Sequence, residues 1–358
     1  MFPKVRLIAI LTILTALLLT ACGGAEEEPA QTEAPAATEV PAKPAVKAAL
    51  VLPGPLGDRS FLDSADRGME WAQEQLGAEI TVIEGNFDAS EYETSLRAMA
   101  EAGNDVVISV GFRMVDATNN VAAIYPDTNF AIVDNTVDQP NVASLLFREH
   151  EGSFLVGVIA GSMTRTNVIG FVGGLEIPLI RRFQVGFEEG VLAVNPDAEI
   201  VIGYVGAFND PTKGKELALS QYENGADIIF AAAGKSGEGV IAASAETGNF
   251  SIGVDSNQDY IAPGNVITSM MKKVDKAVLT ITEDAAAGNF AGGPRSFGVS
   301  ENMVGPTWTV EPDGDSTFRE NGPEDMVAKM DEVIALVKDY AAKIISGEVV
   351  VTDVYEEQ

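Results

Sequence analysis

Cysteine and histidine, on which much nucleophilic and metal chemistry depends, occur once each in the 358 residues, as Cys22 and His150. One cysteine closes no internal disulfide, and one histidine builds no zinc cluster. A Ser-His-Asp or Cys-His engine would need His150. That residue stands in Phe147-Arg148-Glu149-His150-Glu151, with no G-x-S-x-G nearby. The expectation is a chain that is not an enzyme, with no catalytic residue, no metal and no cofactor.

Binding chemistry remains, and it gathers just after apolar runs. The first such loop is Pro53-Gly54-Pro55-Leu56-Gly57-Asp58-Arg59-Ser60-Phe61. Asp58 and Ser60 either cap the next helix or face a ligand. Phe61 either staples onto that helix or forms a stacking wall. Asp134 ends another apolar run, where an unpaired carboxylate is costly to bury, so it caps a turn or accepts bonds from a ligand. Gly174 and Gly234 are points where backbone can turn tightly or approach a ligand. Phe208 is a second aromatic in a polar loop, Gly206-Ala207-Phe208-Asn209-Asp210-Pro211. Phe61 and Phe208 together would clamp a flat ring from two sides. Asp255 ends a further run, where an acid is well placed for sugar hydroxyls. Lys272, in Thr268-Ser269-Met270-Met271-Lys272-Lys273, either reaches a cleft and meets Asp255 or is solvated beside Lys273.

Two motifs suggest nucleotide chemistry. Gly234-Lys235-Ser236 fails as a Walker motif because Ile229 stands where its first glycine belongs. Gly237-Glu238-Gly239-Val240-Ile241-Ala242 fits G-x-G-x-x-A, with Asp255 ending the next strand, and leaves an exported nucleotide-cofactor enzyme as an alternative. Against that stand its mid-chain position, its long strand-to-helix loop and the export signal.

The elements that must position these residues are regular. Strands are expected over 46–52, 80–84, 106–110, 130–134, 142–147, 168–172, 200–205, 228–232 and 251–255, with helices over 64–76, 92–102, 151–163, 182–194, 211–224 and 239–247. Alternation of this kind specifies an α/β protein with parallel sheets covered on both faces. Nine or more strands exceed one comfortable sheet, so two similar doubly wound lobes around a cleft are expected, joined by about three crossings, the first near 148–152. Lobe 1 is expected over 46–148 plus 258–292, and lobe 2 over 149–257 plus 293–358. A helix over 324–345 would pack on the second lobe.

The first residues address the chain. Lys4 and Arg6 precede an apolar run over 7–20, a signal-peptide pattern for 1–21. Leu19-Thr20-Ala21-Cys22 resembles a bacterial lipobox, with Cys22 lipidated. Residues 22–45, rich in Pro, Ala, Glu and Thr, read as a disordered tether. With 53 acidic against 23 basic residues, net charge −30, nucleic acid is excluded as a partner, and the membrane is touched through the lipid alone.

Taken together, Asp58-Arg59-Ser60-Phe61, Phe147-Arg148-Glu149-His150-Glu151-Gly152-Ser153-Phe154-Leu155, Gly170-Phe171-Val172-Gly173-Gly174, Gly225-Ala226-Asp227-Ile228-Ile229-Phe230 and Ile252-Gly253-Val254-Asp255-Ser256-Asn257-Gln258 resemble the BMP (basic membrane protein) family of bacterial nucleoside-binding lipoproteins. The resemblance implies a type I periplasmic-binding-protein fold. It also implies an extracytoplasmic, membrane-anchored monomer that delivers a nucleoside to an ABC permease. By motif position, Phe61 and Phe208 would hold a purine, Asp58 and Asp134 would address the base, and Asp255 and Lys272 would address the ribose. Where relatives often carry Asn after the Ser-Phe pair, this chain has Leu62, which removes any base contact that Asn made. A sugar or other small polar solute in the same fold is the remaining alternative.

Overall fold

The computed structural model describes residues 45–355. The expected signal peptide, the lipidated Cys22 and the tether, save Ala45, lie outside the described residues.

Twelve strands form two six-stranded sheets among the described residues. The first sheet contains β1 (Lys47–Val51), β2 (Glu79–Ile83), β3 (Val106–Val110), β4 (Asn129–Val133), β5 (Val142–Phe147) and β11 (Gly293–Phe297), in the order β11-β5-β4-β3-β1-β2. The second contains β6 (Val168–Gly173), β7 (Glu199–Tyr204), β8 (Ile228–Ala232), β9 (Phe250–Asp255), β10 (Val266–Lys272) and β12 (Val304–Pro306), in the order β12-β10-β9-β8-β6-β7. All neighbours are parallel except β10 and β12. The inner strands β3 and β8 read VVISV and IIFAA and are buried throughout, because helices cover both faces of each sheet.

The helices are α1 (Phe61–Leu76), α2 (Ala89–Glu101), α3 (Val115–Ile124), α4 (Glu149–Met163), α5 (Pro178–Val194), α6 (Pro211–Glu223), α7 (Gly237–Thr247), α8 (Val274–Ala287), α9 (Thr307–Val310), α10 (Ser316–Asn321), α11 (Glu324–Val327) and α12 (Met330–Ser346). Helix α1 starts three residues before the expected 64, because the Asp58 carboxylate takes up its first free N–H groups. The expected helix over 324–345 divides into α11 and α12, and α12 packs on α4 in the second lobe.

The chain passes between lobes at Arg148, at Lys273 and between β11 and β12. Two of these crossings are tied to the third: Arg148 N–H donates to Phe297 O at 2.7 Å, and Lys273 N–H to Met303 O at 2.9 Å. Two expected lobe boundaries move. Strand β10 pairs with β9 and β12, so 258–272 belongs to the second lobe rather than the first. Strand β11 adds to the first sheet beside β5, rather than joining the second lobe. An apolar run announces a strand but not its neighbour; pairing decides which sheet takes it.

Candidate functional site

A cavity of about 290 Å³ lies between the lobes, at the carboxyl ends of the strands. Open α/β sheets present ligand sites there, because every strand-to-helix loop converges on that edge. Asp58, Phe61, Asp134, Phe208, Gly234, Asp255 and Lys272 all line it. Ser60 and Gly174 do not, and each acts through a lining residue.

Lys272 ends β10 and is only 1% exposed. Its ammonium stands 2.6 Å from Asp134 Oδ1, 2.6 Å from Asp134 Oδ2 and 3.0 Å from Glu149 Oε1. The rings of Phe61, Phe147 and Phe183 surround it, with centroids at 5.1, 5.1 and 5.6 Å. Burial works against this charge, but Asp134, Glu149 and Asp255 outweigh it and raise the lysine above its ordinary range. The expected partner, Asp255, is thus not the group that binds the ammonium. Carboxylates from both sides of the first crossing reach it first.

Asp134 and Asp255 have the same backbone conformation, with φ +68° and +65° in the left-handed region. Strain of this kind in a non-glycine residue persists only where the surroundings hold it, and it aims each side chain out of the strand. Burial pushes Asp134 up to about 6, with Lys272 opposing and Glu149 adding. Burial pushes Asp255 up to about 7, against the pull of Lys272 and of the Ser60 hydroxyl. Ser60 Oγ donates to Asp255 Oδ2 at 2.5 Å, from the opposite lobe. Among the described residues Asp255 Oδ1 has no hydrogen bond, which leaves it as an acceptor for the cavity. Further bonds join the lobes here, among them Ser256 Oγ to Ser60 O at 3.1 Å and Gln258 Nε2 to Arg59 O at 3.0 Å.

Asp58 has the capping role left open by its sequence. Oδ1 accepts from Ser60 N–H (2.9 Å) and Asp63 N–H (3.1 Å), and Oδ2 from Leu62 N–H (2.9 Å). Burial raises its carboxyl, and those backbone bonds counter it.

Aromatic rings come from both lobes. Phe208 follows β7, and Phe87, unnoticed in the sequence, holds the corresponding place after β2. A Cβ on Gly174 would stand 2.3 Å from the Phe208 ring, and one on Gly54 would stand 2.1 Å from the Phe87 ring. Gly174 therefore seats an aromatic, as Gly54 does in the first lobe. Leu179, Ile180 and Phe183 of α5 also line the cavity, with Phe112 and Arg113 opposite. Apolar helical spacing hid the α5 residues, since core and cavity wall share it. Glu149 reads in the sequence as part of the charged seam after a strand, which conceals its place beside Lys272.

The dinucleotide motif has another use. A Cβ on Gly239 would stand 1.9 Å from Pro211 O, so this glycine lets α7 close on the start of α6. Among the described residues no group of three or more His, Cys, Asp or Glu side chains is arranged to hold a metal. Where Asp134 and Glu149 converge, the ammonium of Lys272 takes the cationic place.

A family model described as ABC transporter substrate-binding protein PnrA-like matches residues 45–352. The CD4+ T-cell-stimulating antigen of Listeria monocytogenes is 35% identical over 370 residues, covering 95% of this chain and 96% of that protein. The ABC transporter nucleoside-binding protein BmpA of Lactococcus lactis is 33% identical over 314 residues, covering 81% and 87%. Among solved structures, a solute-binding protein of an ABC transporter system from Aeropyrum pernix matches with a TM-score of 0.75 and 30% identity, over 86% of this chain and 94% of that one. Each is an extensive likeness that runs through both lobes, and the fold is that of type I periplasmic solute-binding proteins.

Proposed function

The chain belongs to the Bmp family of PnrA-like ABC transporter substrate-binding proteins, and from that premise we propose that it is an extracytoplasmic lipoprotein, anchored through Cys22, that binds a purine nucleoside between its lobes and delivers it to an ABC importer. The carrying observation is the pair of left-handed strand-end carboxylates, Asp134 and Asp255, set around Lys272 in one cavity walled by aromatics of both lobes.

The chemistry favours a flat, neutral, hydroxylated guest. Asp255 Oδ1 accepts a ribose hydroxyl, and Lys272 donates to another hydroxyl oxygen; bonds of this charge-assisted kind are worth roughly 1.5–3 kcal/mol each. Phe61, Phe208 and Phe87 offer faces for the base, with stacking worth about 1–3 kcal/mol per base. Asp134 and Asp58 Oδ2, which has a single backbone bond, address polar edges of the base. Asp58, Asp134 and Asp255 line the cavity beside Arg113, Lys235 and Lys272, and Asp134 and Glu149 already neutralise Lys272, so the innermost cation is not left over for a phosphate and the unphosphorylated nucleoside is preferred over the nucleotide. A guest bonded to both lobes favours the closed form by its differential affinity for that form. The closed form docks on the permease as a monomer.

Calorimetry with inosine, guanosine, ribose and inosine monophosphate tests this. Inosine or guanosine should bind best, and Asp255→Ala should weaken binding about tenfold or more. Equal affinity in the parent and Asp255→Ala chains, or tighter binding of the monophosphate, would sink the assignment.

A further inference from the structure

Outside the cavity, one buried network ends on a residue that lines it. Glu149, fully buried, touches Lys272 with Oε1, while its Oε2 accepts from Arg182 Nη1 at 2.7 Å. Arg182, on α5, also donates from Nη1 to Phe147 O at 2.8 Å, and from Nη2 to Asp353 Oδ2 at 2.7 Å. Its Nη2 lies 3.2 Å from His150 Nδ1. Charges therefore alternate over Asp353, Arg182, Glu149, Lys272 and Asp134. The line runs from the segment after α12, past the first crossing, to the first lobe's cavity wall.

The outer end of this line is fixed. Val351 is buried, Thr352 N–H donates to Glu189 Oε2 at 3.0 Å, and the Tyr355 ring lies over the Arg182 guanidinium at 5.0 Å. Asp353 itself does not line the cavity.

We propose that Arg182 and Asp353 are positioning residues for solute binding, setting through Glu149 where the Lys272 ammonium stands in the cavity wall. The reason is competition for one carboxylate. Glu149 is shared between Arg182 and Lys272, and Asp353 is the other acid that satisfies Arg182. Without the Asp353 charge, Arg182 draws harder on Glu149, and Lys272 loses the partner that holds it between Asp134 and the three rings. Buried charges this close respond to each other because no solvent screens them. His150 stays neutral as the acceptor beside Arg182, its proton disfavoured by burial and by that guanidinium.

The inference rests on the nucleoside reading for its binding arm alone. The full chain would be compared with Asp353→Asn, with the charge-retaining Asp353→Glu and with a control, Asp339→Asn, whose pair with Lys343 lies on the surface. Ligand-free protein is labelled with acetic anhydride, and acetylation of Lys272 is read by peptide mass spectrometry; inosine affinity is read by calorimetry. Asp353→Asn should raise Lys272 labelling several-fold and weaken inosine binding on the order of tenfold, within the usual coupling between distinct sites. Asp353→Glu should restore most of both, and Asp339→Asn should change neither. Unchanged Lys272 labelling in Asp353→Asn overturns the proposal, whatever the affinity does. If the parent chain binds no nucleoside, the functional reading falls, and the labelling arm still decides the coupling.

Discussion

The two lobes are near-copies that differ in what binds the carboxylates at their shared cavity. Their sheets run in the same order, so β4 and β9 occupy the same place, and each leads into an aspartate with a left-handed backbone, Asp134 and Asp255. The loops after β2 and β7 each carry a phenylalanine, Phe87 and Phe208, seated on a glycine of the neighbouring loop. The partners differ. Asp134 is bound by the ammonium of Lys272 at the second crossing, whereas Asp255 is bound by a neutral hydroxyl from the opposite lobe. The duplicated fold fixes where an acid stands, and its partner fixes what it can do. Asp134 becomes half of a fixed ion pair. Asp255 keeps Oδ1 open to the cavity and ties the lobes together through Ser60.

The sharpest way to break this contrast is to remove the cation. Lys272→Met should fill similar space but leave Asp134 and Glu149 as neighbouring buried carboxylates. Losing one partner of a buried ion pair costs about 3–5 kcal/mol. Urea unfolding should show a loss of that size. A loss below about 1 kcal/mol would mean that Asp134 does not depend on Lys272, and the two acids would then be equivalent.

A smaller effect separates the acids by pH. The folded-state values of both lie above the ordinary 3.8, so each acid adds stability that is complete below that value and is lost as pH rises through the folded value. For Asp255 the loss runs up to about 7, and for Asp134 up to about 6. Asn substitution removes the loss. The unfolding midpoint of Asp255→Asn, relative to the parent, should therefore climb from about pH 4 to about pH 8. Asp134→Asn should show the same sign, levelling off at lower pH and from a lower baseline, since it leaves Lys272 with one carboxylate fewer. Identical profiles would erase the distinction between the lobes.

Much of this arrangement was legible in the sequence because strand ends are marked twice, by the close of an apolar run and by the loop chemistry that follows. Strands β3, β5 and β8 match their expected bounds, and seven of the nine expected site residues line one cavity. What sequence could not supply was partnership. The bonds of Lys272 to Asp134 and Glu149 span 138 and 123 positions, and no local pattern encodes them. The same limit misassigned β10 and β11, since an apolar run is compatible with either sheet. Phe87 escaped because its loop, Gly85-Asn86-Phe87-Asp88, reads as an ordinary helix entry, with Asp88 capping α2.

The smallest expected effect asks whether the paired phenylalanines are equal. Neither Gly54 nor Gly174 has a left-handed backbone, so alanine adds no backbone strain at either, and any effect comes from the ring that the added methyl displaces. At Gly174 that methyl meets the side of the Phe208 ring, near Cδ1, Cε1 and Cγ. A ring blocked beside its root must move bodily, so part of its stacking face is lost, and inosine affinity should fall roughly fivefold, a fraction of one stacking contact. At Gly54 the methyl meets the tip of the Phe87 ring, at Cζ, Cε1 and Cε2. A ring touched at its tip can swing aside about its own side-chain bonds, so Gly54→Ala should cost about twofold or less. Calorimetry on both variants ranks the clamps. A larger loss at Gly54 would make Phe87, not Phe208, the principal stacking partner, and would shift the base towards the first lobe.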